Sequence, residues 1–284
     1  MRVLLPYRDP FTHAPLWSAL RAHTIAGLER HDPDTGAHTR VVNAAHGPAL
    51  VTVVVRPEKR HVETHIVPAH PADVGELTAI VRRWLDLDAD PLAIDAALGR
   101  HPELASLVTL RPGLRRLGSV DGFETAVLTV LGQQVSLAAA RTFGARLVAA
   151  YGPPVHGEFR AFPAPEALAD RSPEELRSAI GLTGARARTV HALAHAAADG
   201  LRLDADTEPA KFRAGVLALP GIGPWTADYL TVRVLGDPDA FPADDLVLRR
   251  ALGVGKGSEA AALAEAWRPW RAYALFHLWT AEAF

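Results

Sequence analysis

The stretch LPGIGPWTADYL, residues 219–230, places a glycine-rich corner directly before a helical segment. Pro220 and Gly221 are typical of a turn, and we expect Gly223 to take a positive φ, which costs glycine nothing. Pro224 suits the first position of a helix, where the missing N–H has no partner in any case. The stretch therefore predicts two helices joined by a very short hairpin. Its exposed amides would attract phosphate, although such a corner is also found as a plain connector.

Hydrophobic spacing predicts a small α+β domain over residues 1–88. Residues 37–67 contain alternating and β-branched segments separated by turn signals, which predicts two or three antiparallel strands. The preceding residues 15–31 have a helical pattern. Apolar residues from Leu77 to Leu85 recur at helical spacing as well.

Residues 89–284 are predicted to form an all-α core of two lobes with a cleft between them. Ser172, Pro173 and Glu175 match a helix N-cap, a first-turn proline and the closing residue of a capping box. Further helices are predicted at 186–198, 224–234, 245–252 and 268–282. The fold class is therefore α+β: an antiparallel-sheet domain followed by a helical hairpin-containing core.

Composition narrows the chemistry that the chain supports. The 284 residues include no cysteine, and the formal net charge is −2. Disulfides, thiolate metal sites, iron–sulfur clusters and cysteine nucleophiles are thereby excluded. Nucleic-acid binding would depend on a local patch, loop amides and helix N-termini rather than on bulk charge. No apolar run reaches the length of a membrane span, so we expect a soluble, cytoplasmic protein.

Aromatic and acidic residues cluster around the corner. Trp225 and Tyr229 lie four residues apart on one helix face, a spacing typical of core residues that also suits a wall for stacking a base. Asp244 and Asp245 open a later helix, and one of them suffices as its N-cap. The other carboxylate is then free for chemistry. The C-terminal helix is rich in aromatic residues, including Trp279.

With these motifs assembled, the sequence resembles the helix-hairpin-helix DNA glycosylases, and among them the bacterial 3-methyladenine DNA glycosylase II group. The segments that carry the resemblance are, in order, VDGFETAVLTVLGQQVS, LPGIGPWTADYL, FPADD and WRPWRAYALFHLW. The resemblance implies a monofunctional enzyme that flips alkylated bases such as 3-methyladenine out of duplex DNA and excises them in base excision repair. The alternative is a non-catalytic module that binds bent or damaged duplex, but binding alone needs no carboxylate at the DNA face.

The resemblance also implies roles for single residues. Asp245 would be the catalytic carboxylate, while Asp244 supports the start of the helix. The pocket for the flipped base would be lined by Trp225, Tyr229 and Trp279. The hairpin would bind phosphate through the groups around Gly221, Gly223 and Thr226. Gln134 stands where the family places a wedge, often apolar, that fills the gap left by the flipped base.

A second glycine-bounded junction, GLTGARART at residues 181–189, predicts a further phosphate contact through Gly184 and Arg186. The alternative is a connector with solvated arginines. The segment HVETH at residues 61–65 places two histidines and a glutamate on one strand face, but no fourth ligand is implied. We interpret that segment as a solvent-facing surface.

Cofactor and partner expectations follow from the resemblance. No cofactor is expected to be required, although the hairpin of this family tends to bind an alkali cation through main-chain carbonyls, here those of Leu217, Leu219 and Ile222. Relatives that also cleave the DNA backbone carry a lysine in the hairpin helix, where this chain has Pro224 and Trp225. The expected partner is double-stranded DNA with a damaged base. We expect a nucleoid-associated monomer with no membrane contact.

Overall fold

The computed structural model describes residues 1–283, which begin with a five-stranded antiparallel sheet in the order β1-β5-β4-β3-β2. Its strands are β1 (Arg2–Pro6), β2 (Glu29–His31), β3 (His38–Ala44), β4 (Gly47–Arg56) and β5 (His61–Val67). Three of them fall within residues 37–67, as predicted. Each pairs with its sheet neighbour in a regular register; for example, Val53 lies between His38 and Thr64.

Helices make up most of the remaining chain. They are α1 (Ala14–His23), α2 (Val74–Trp84), α3 (Pro91–Leu98), α4 (Pro102–Leu110), α5 (Gly122–Gly132), α6 (Leu137–Tyr151), α7 (Pro165–Ala169), α8 (Pro173–Ile180), α9 (Gly184–Ala198), α10 (Pro209–Leu217), α11 (Pro224–Leu230), α12 (Leu246–Ala251), α13 (Gly257–Ala264) and α14 (Arg271–Ala283). The predicted capping box at Ser172 and Glu175 opens α8. A π-helical turn, Thr231–Leu235, continues α11.

Two local predictions were wrong. Residues 15–31 do not form one helix, because α1 ends at His23 and β2 follows a turn in which Gly27 has a φ of 83°. The region after residue 88 is not purely helical, since Pro154–His156 and Phe159–Arg160 pair as a small β-hairpin. Neither error changes the fold class, which is confirmed. The domain boundary at residue 88 stays a prediction.

Buried apolar side chains form three clusters that explain the layout. One cluster packs the sheet against α2, and a second packs α5, α6, α8 and α9 around the hairpin helices. The third unites α3, α4, α12 and α14. Leu230 belongs to the second cluster, whereas Val232, two residues later, belongs to the third. The segment that begins with α11 therefore lies where the two helical clusters meet.

A buried ion network joins the sheet to the helical core. Arg40 on β3 contacts Glu29 on β2 at 2.7 Å and Glu124 on α5 at 2.5 Å. Burial raises the pKa of Glu124 to about 7, although the nearby Arg40 charge opposes that shift. Because α5 leads directly to Gln134, the network ties the position of this helix to the sheet.

Candidate active site

The hairpin is built as predicted, except for the roles of its glycines. α10 and α11 are joined by residues 218–223, and Pro224 occupies the first turn of α11. Gly221 has the positive φ, 82°, whereas Gly223 is extended at −97° and takes the N-cap position. The prediction for Gly223 was therefore wrong. A Cβ on Gly221 would lie 2.1 Å from Thr189 Oγ1, so the close approach of α9 also requires glycine there.

Hydrogen bonds from side chains outside the hairpin hold its loop in place. Gln133 Nε2 donates to the Gly221 carbonyl and to Thr226 Oγ1, each at 3.2 Å. Arg186 in turn donates to the Gln133 carbonyl at 2.5 Å. Thr226 is buried and Arg186 half-buried, so these two side chains support the loop. Gln133, adjacent to the predicted wedge, was not singled out from the sequence.

Two positions that were predicted to contact phosphate, Gly223 and Gly184, lie at the starts of helices. Gly223 is exposed, and an added Cβ would meet no atom of the described residues within 4 Å. The first N–H groups of α11 have no intrahelical partner, as at any helix start. Gly184 opens α9, where the Thr183 hydroxyl accepts from the Arg186 N–H at 3.3 Å. Both helix starts therefore present backbone donors suited to an anion.

Gln134 occupies the turn between α5 and α6 in a strained conformation. Its φ is 54°, in the left-handed region that is uncommon for residues other than glycine. Its side chain is exposed, in contrast to that of the neighbouring Gln133. This geometry fits a side chain that projects from the surface, as the wedge prediction requires.

Asp245 is the centre of the candidate site. Its residue is only 7% exposed, and its carboxylate accepts three hydrogen bonds. Trp225 Nε1 donates to Oδ2 at 2.9 Å, while Trp279 Nε1 and the Leu248 N–H donate to Oδ1 at 2.9 and 2.8 Å. The two indoles come from α11 and α14, so the fold converges on this carboxylate.

The N-cap of α12 is Asp245 itself, through its bond from the Leu248 N–H. Asp244 is exposed and does not cap the helix. The prediction that Asp244 supports the helix start was therefore wrong. One carboxylate both starts α12 and accepts the two indole N–H groups, so its position is set by a helix terminus as well as by side chains.

The three predicted pocket aromatics lie together. Trp225 and Tyr229 stack with ring centroids 5.4 Å apart and an interplanar angle of 20°. Tyr229 and Trp279 are 6.0 Å apart at 47°, so the three rings form one cluster of aromatic faces. Such faces are suited to bind a planar, electron-poor ring. The structure thus combines an aromatic cluster with a fixed carboxylate at its side.

The HVETH segment forms ion pairs within the sheet. Glu63 of HVETH is held by Arg2 and Arg56, with His65 at 3.1 Å, so its carboxylate is already satisfied. Among residues 1–283, no group of three or more His, Cys, Asp or Glu side chains is placed to hold a metal ion.

In the hairpin, the Leu219 carbonyl accepts the Ile222 N–H at 3.2 Å. None of the helices within residues 1–283 is both long and apolar enough to cross a membrane.

Comparison with known proteins places the chain in the class of helix-hairpin-helix base excision repair proteins. The whole chain superposes on a 3-methyladenine DNA-glycosylase from Archaeoglobus fulgidus with a TM-score of 0.83 at 21% identity, covering 100% of this chain and 98% of that one. A Schizosaccharomyces pombe 3-methyladenine DNA glycosylase in complex with abasic DNA matches 68% of this chain and 97% of its own, with a TM-score of 0.57 and 22% identity.

Residues 127–270 match the HhH-GPD superfamily of base excision DNA repair proteins, to which the chain belongs, and residues 2–121 match the AlkA N-terminal domain. The Escherichia coli "DNA-3-methyladenine glycosylase 2" is 31% identical over 99% of this chain and 97% of its own length. A Mycobacterium tuberculosis protein described as a "Probable bifunctional transcriptional activator/DNA repair enzyme AlkA" is 44% identical over 97% of this chain. The chain spans 56% of the length of that relative.

Proposed function

We propose that the chain is a monofunctional DNA glycosylase that flips alkylated bases out of duplex DNA and hydrolyses the bond between base and sugar. The observation that carries the proposal is the Asp245 carboxylate, held between the indole N–H groups of Trp225 and Trp279 beside the Tyr229 ring. Capping α12 explains the bond from the Leu248 N–H but not the two indole donors that hold the same carboxylate beside the aromatic side chains. The names of the relatives given above support the same activity.

The chemistry follows from the arrangement. Removing a base from the duplex stack costs a few kcal/mol, and stacking on aromatic side chains returns about 1–3 kcal/mol per base. Electron-rich indole and phenol faces further favour a cationic alkylated base, which is already a good leaving group. Asp245 would then stabilise the positive charge that develops on the sugar and orient the attacking water.

DNA would be bound from two helix starts. The free amides at Gly223 and the first turn of α11 would contact one phosphate, and those at Gly184 another. Leu217, Leu219 and Ile222 would hold an alkali cation through their carbonyls, a donor type suited to hard cations, and the cation would add positive charge near the phosphate. We infer a monomer that acts on chromosomal DNA in the cytoplasm.

Gln134 would fill the space that the flipped base leaves. Replacing Gln134 with alanine should weaken binding to duplex with an abasic site by about fivefold, as expected for one lost hydrogen-bonding or stacking contact. Because Gln134 is exposed, the free energy of unfolding should stay nearly unchanged. Binding is measured by fluorescence anisotropy, and stability by urea unfolding.

The adjacent Gln133 provides the contrast. Gln133→Ala removes the hydrogen bonds to the Gly221 carbonyl and to Thr226 Oγ1, so it should lower both stability and binding. If Gln134→Ala leaves binding at the wild-type level, the wedge lies elsewhere.

Incubation with methylated duplex should release free 3-methyladenine and leave an intact strand with an abasic site. Chromatography detects the base, and gel analysis detects the strand before and after alkaline cleavage. The non-catalytic alternative predicts retention of the DNA with no free base. Because Pro224 and Trp225 occupy the place of the lyase lysine, borohydride should trap no covalent protein–DNA adduct.

Lys256 is the residue to test if an adduct does form. It precedes Gly257, which packs against the Asp244 side chain next to the proposed catalytic residue. An adduct that persists in Lys256→Met would place the Schiff base on another amine, whereas its loss would assign it to Lys256. Either adduct, in good yield, would overturn the monofunctional assignment.

A further inference from the structure

A third group extends the aromatic wall of α11. Trp225, Tyr229 and Arg233 follow one another at intervals of four residues, so they share a helix face. The Arg233 guanidinium lies 5.6 Å from the centroid of the Tyr229 ring, and its Nη1 donates to the phenol oxygen at 2.6 Å. Arg233 belongs to the π-helical turn Thr231–Leu235, a type of irregularity that is frequent at functional sites.

Most of the Arg233 donors have no partner in the described structure. A guanidinium offers five N–H donors. One is used by Tyr229 and one by the Gly118 carbonyl, which accepts from Nη2 at 3.2 Å. Nε is buried without a partner among residues 1–283, and no carboxylate of these residues forms an ion pair with Arg233. No direct ion pair therefore neutralises the charge, and one N–H on each terminal nitrogen is left without a partner among residues 1–283.

The carboxylates of Asp86 and Asp121 line the same cavity as Arg233, but Asp86 pairs with Arg116 and Asp121 caps α5. His23, at the end of α1, hydrogen-bonds through Nδ1 with the Ala19 carbonyl at 2.8 Å. Although His23 is exposed, desolvation in the crowded cleft lowers its pKa, with smaller contributions from the charges of Arg233 and Arg141. The imidazole is thus held neutral near the guanidinium. A ligand with an acceptor atom would satisfy the remaining Arg233 donors.

The spacing along the helix places Arg233 beyond Tyr229, at the end of the row that is farthest from Trp225. Trp225 donates to Asp245, so this end of the row lies beside the carboxylate that would face the sugar. Each step of four residues along a helix adds about 6 Å. A purine attached at the level of Asp245 and stacked on Tyr229 would point its edge farthest from the sugar toward Arg233. In hypoxanthine and guanine that edge carries the carbonyl oxygen O6.

We infer that Arg233 is a specificity-determining residue of the base pocket, which donates to O6 of a neutral purine such as hypoxanthine. This inference rests on the proposed function. Hydrogen bonds from arginine to such acceptors are charge-assisted and therefore strong. A cationic 3-methyladenine offers an amino group instead of O6, so it gains no such bond.

The test compares two substrates in one set of variants. Single-turnover release of hypoxanthine from an inosine-containing duplex and of 3-methyladenine from methylated duplex would be measured for wild type, Arg233→Met and Arg233→Lys. Arg233→Met keeps much of the apolar stem but removes the donors. It should slow hypoxanthine release about tenfold or more, the loss expected for a hydrogen bond to a charged group. Release of 3-methyladenine should stay nearly unchanged. Arg233→Lys should recover part of the hypoxanthine activity.

Arg213→Met is the matched control, because Arg213 pairs with Asp228 at 2.8 Å on the outer side of the hairpin helices. It should leave the ratio of the two rates unchanged. Equal losses for both substrates in Arg233→Met would mean that Arg233 only positions Tyr229, and no loss would mean that it does not contact the base; each result overturns the inference. A wild type that releases 3-methyladenine but no hypoxanthine would also overturn it. Failure to release either base would instead refute the proposed function.

Discussion

Asp245→Asn is expected to slow the release of a neutral base such as hypoxanthine by a hundredfold or more, the cost of about 3–4 kcal/mol seen when an electrostatic contact to a transition state is lost. The substitution keeps the size of the side chain but removes the charge that would face the developing oxocarbenium ion. A 3-methyladenine cation is a good leaving group already, so its release should fall less. Binding to abasic-site DNA should survive, because the amides of the two helix starts are unchanged.

The hydrogen bonds of Asp245 determine how this variant is to be controlled. Asparagine is as good an N-cap as aspartate, so the bond from Leu248 can be kept. However, the amide NH₂ would then face the Trp225 N–H, which leaves two donors opposed. A loss of stability of about 1–3 kcal/mol is expected from the unsatisfied group. Urea unfolding and abasic-DNA binding separate this loss from the loss of catalysis.

Asp244→Asn is the matched control, since it makes the same chemical change at an exposed neighbour. It should excise bases at close to the wild-type rate. The assignment of Asp245 fails if Asp245→Asn retains near wild-type excision, or if Asp244→Asn abolishes excision in a folded protein.

The two aspartates also show how far the sequence could predict this site. The pair predicted one cap and one free carboxylate, because a helix start needs only one acceptor. It could not predict that Asp245 does both. That outcome depends on the indoles of Trp225 and Trp279, which are 54 residues apart in numbering and meet only through the packing of α11 against α14. The residue types were readable, but their convergence is a tertiary property.

The hairpin glycines make the same point at shorter range. Two glycines near a proline predicted the corner, and Pro224 predicted the start of α11. That no side chain fits at Gly221 was not readable, because this constraint comes from Thr189 on α9. Gln133 was missed for a related reason. Its two bonds to the hairpin span sequence separations of 88 and 93 residues.

The strand β2 was missed because its stability comes from pairing. Residues 29–31 read as the end of a helix, and only their register with β3, which sets Glu29 opposite Arg40, explains the strand. The same pairing brings Glu29 into the buried network with Glu124. We therefore expect this network to contribute strongly to the stability of the protein.

Arg40→Met is expected to lower the free energy of unfolding by about 3–5 kcal/mol near pH 8, since it leaves two buried carboxylates without their cation. Arg40 is 5% exposed, and both of its ion pairs are shielded from solvent. Arg30→Met is the matched control, because its pair with Glu158 is exposed at the surface; such pairs contribute about 0–1 kcal/mol. Urea unfolding measures both.

The loss in the free energy of unfolding that Arg40→Met causes should be smaller near pH 5 than near pH 8. The direction of this change follows from the pKa values of the buried carboxyl groups. Burial raises the pKa of Glu124 from 4.5 to about 7, so the folded state binds this proton more tightly than the unfolded state. The stability linked to this proton is complete below pH 4.5 and is lost as the pH rises through about 7. Removing Arg40 removes the main attraction that opposes the shift, so the pKa should rise further and the loss should extend above pH 7. In Arg40→Met/Glu124→Gln, the part of the pH dependence that belongs to Glu124 should disappear, and the remainder should come from Glu29, whose pKa is also raised by burial. An equal cost at both pH values would show that Arg40 acts through packing rather than through the charges of Glu29 and Glu124.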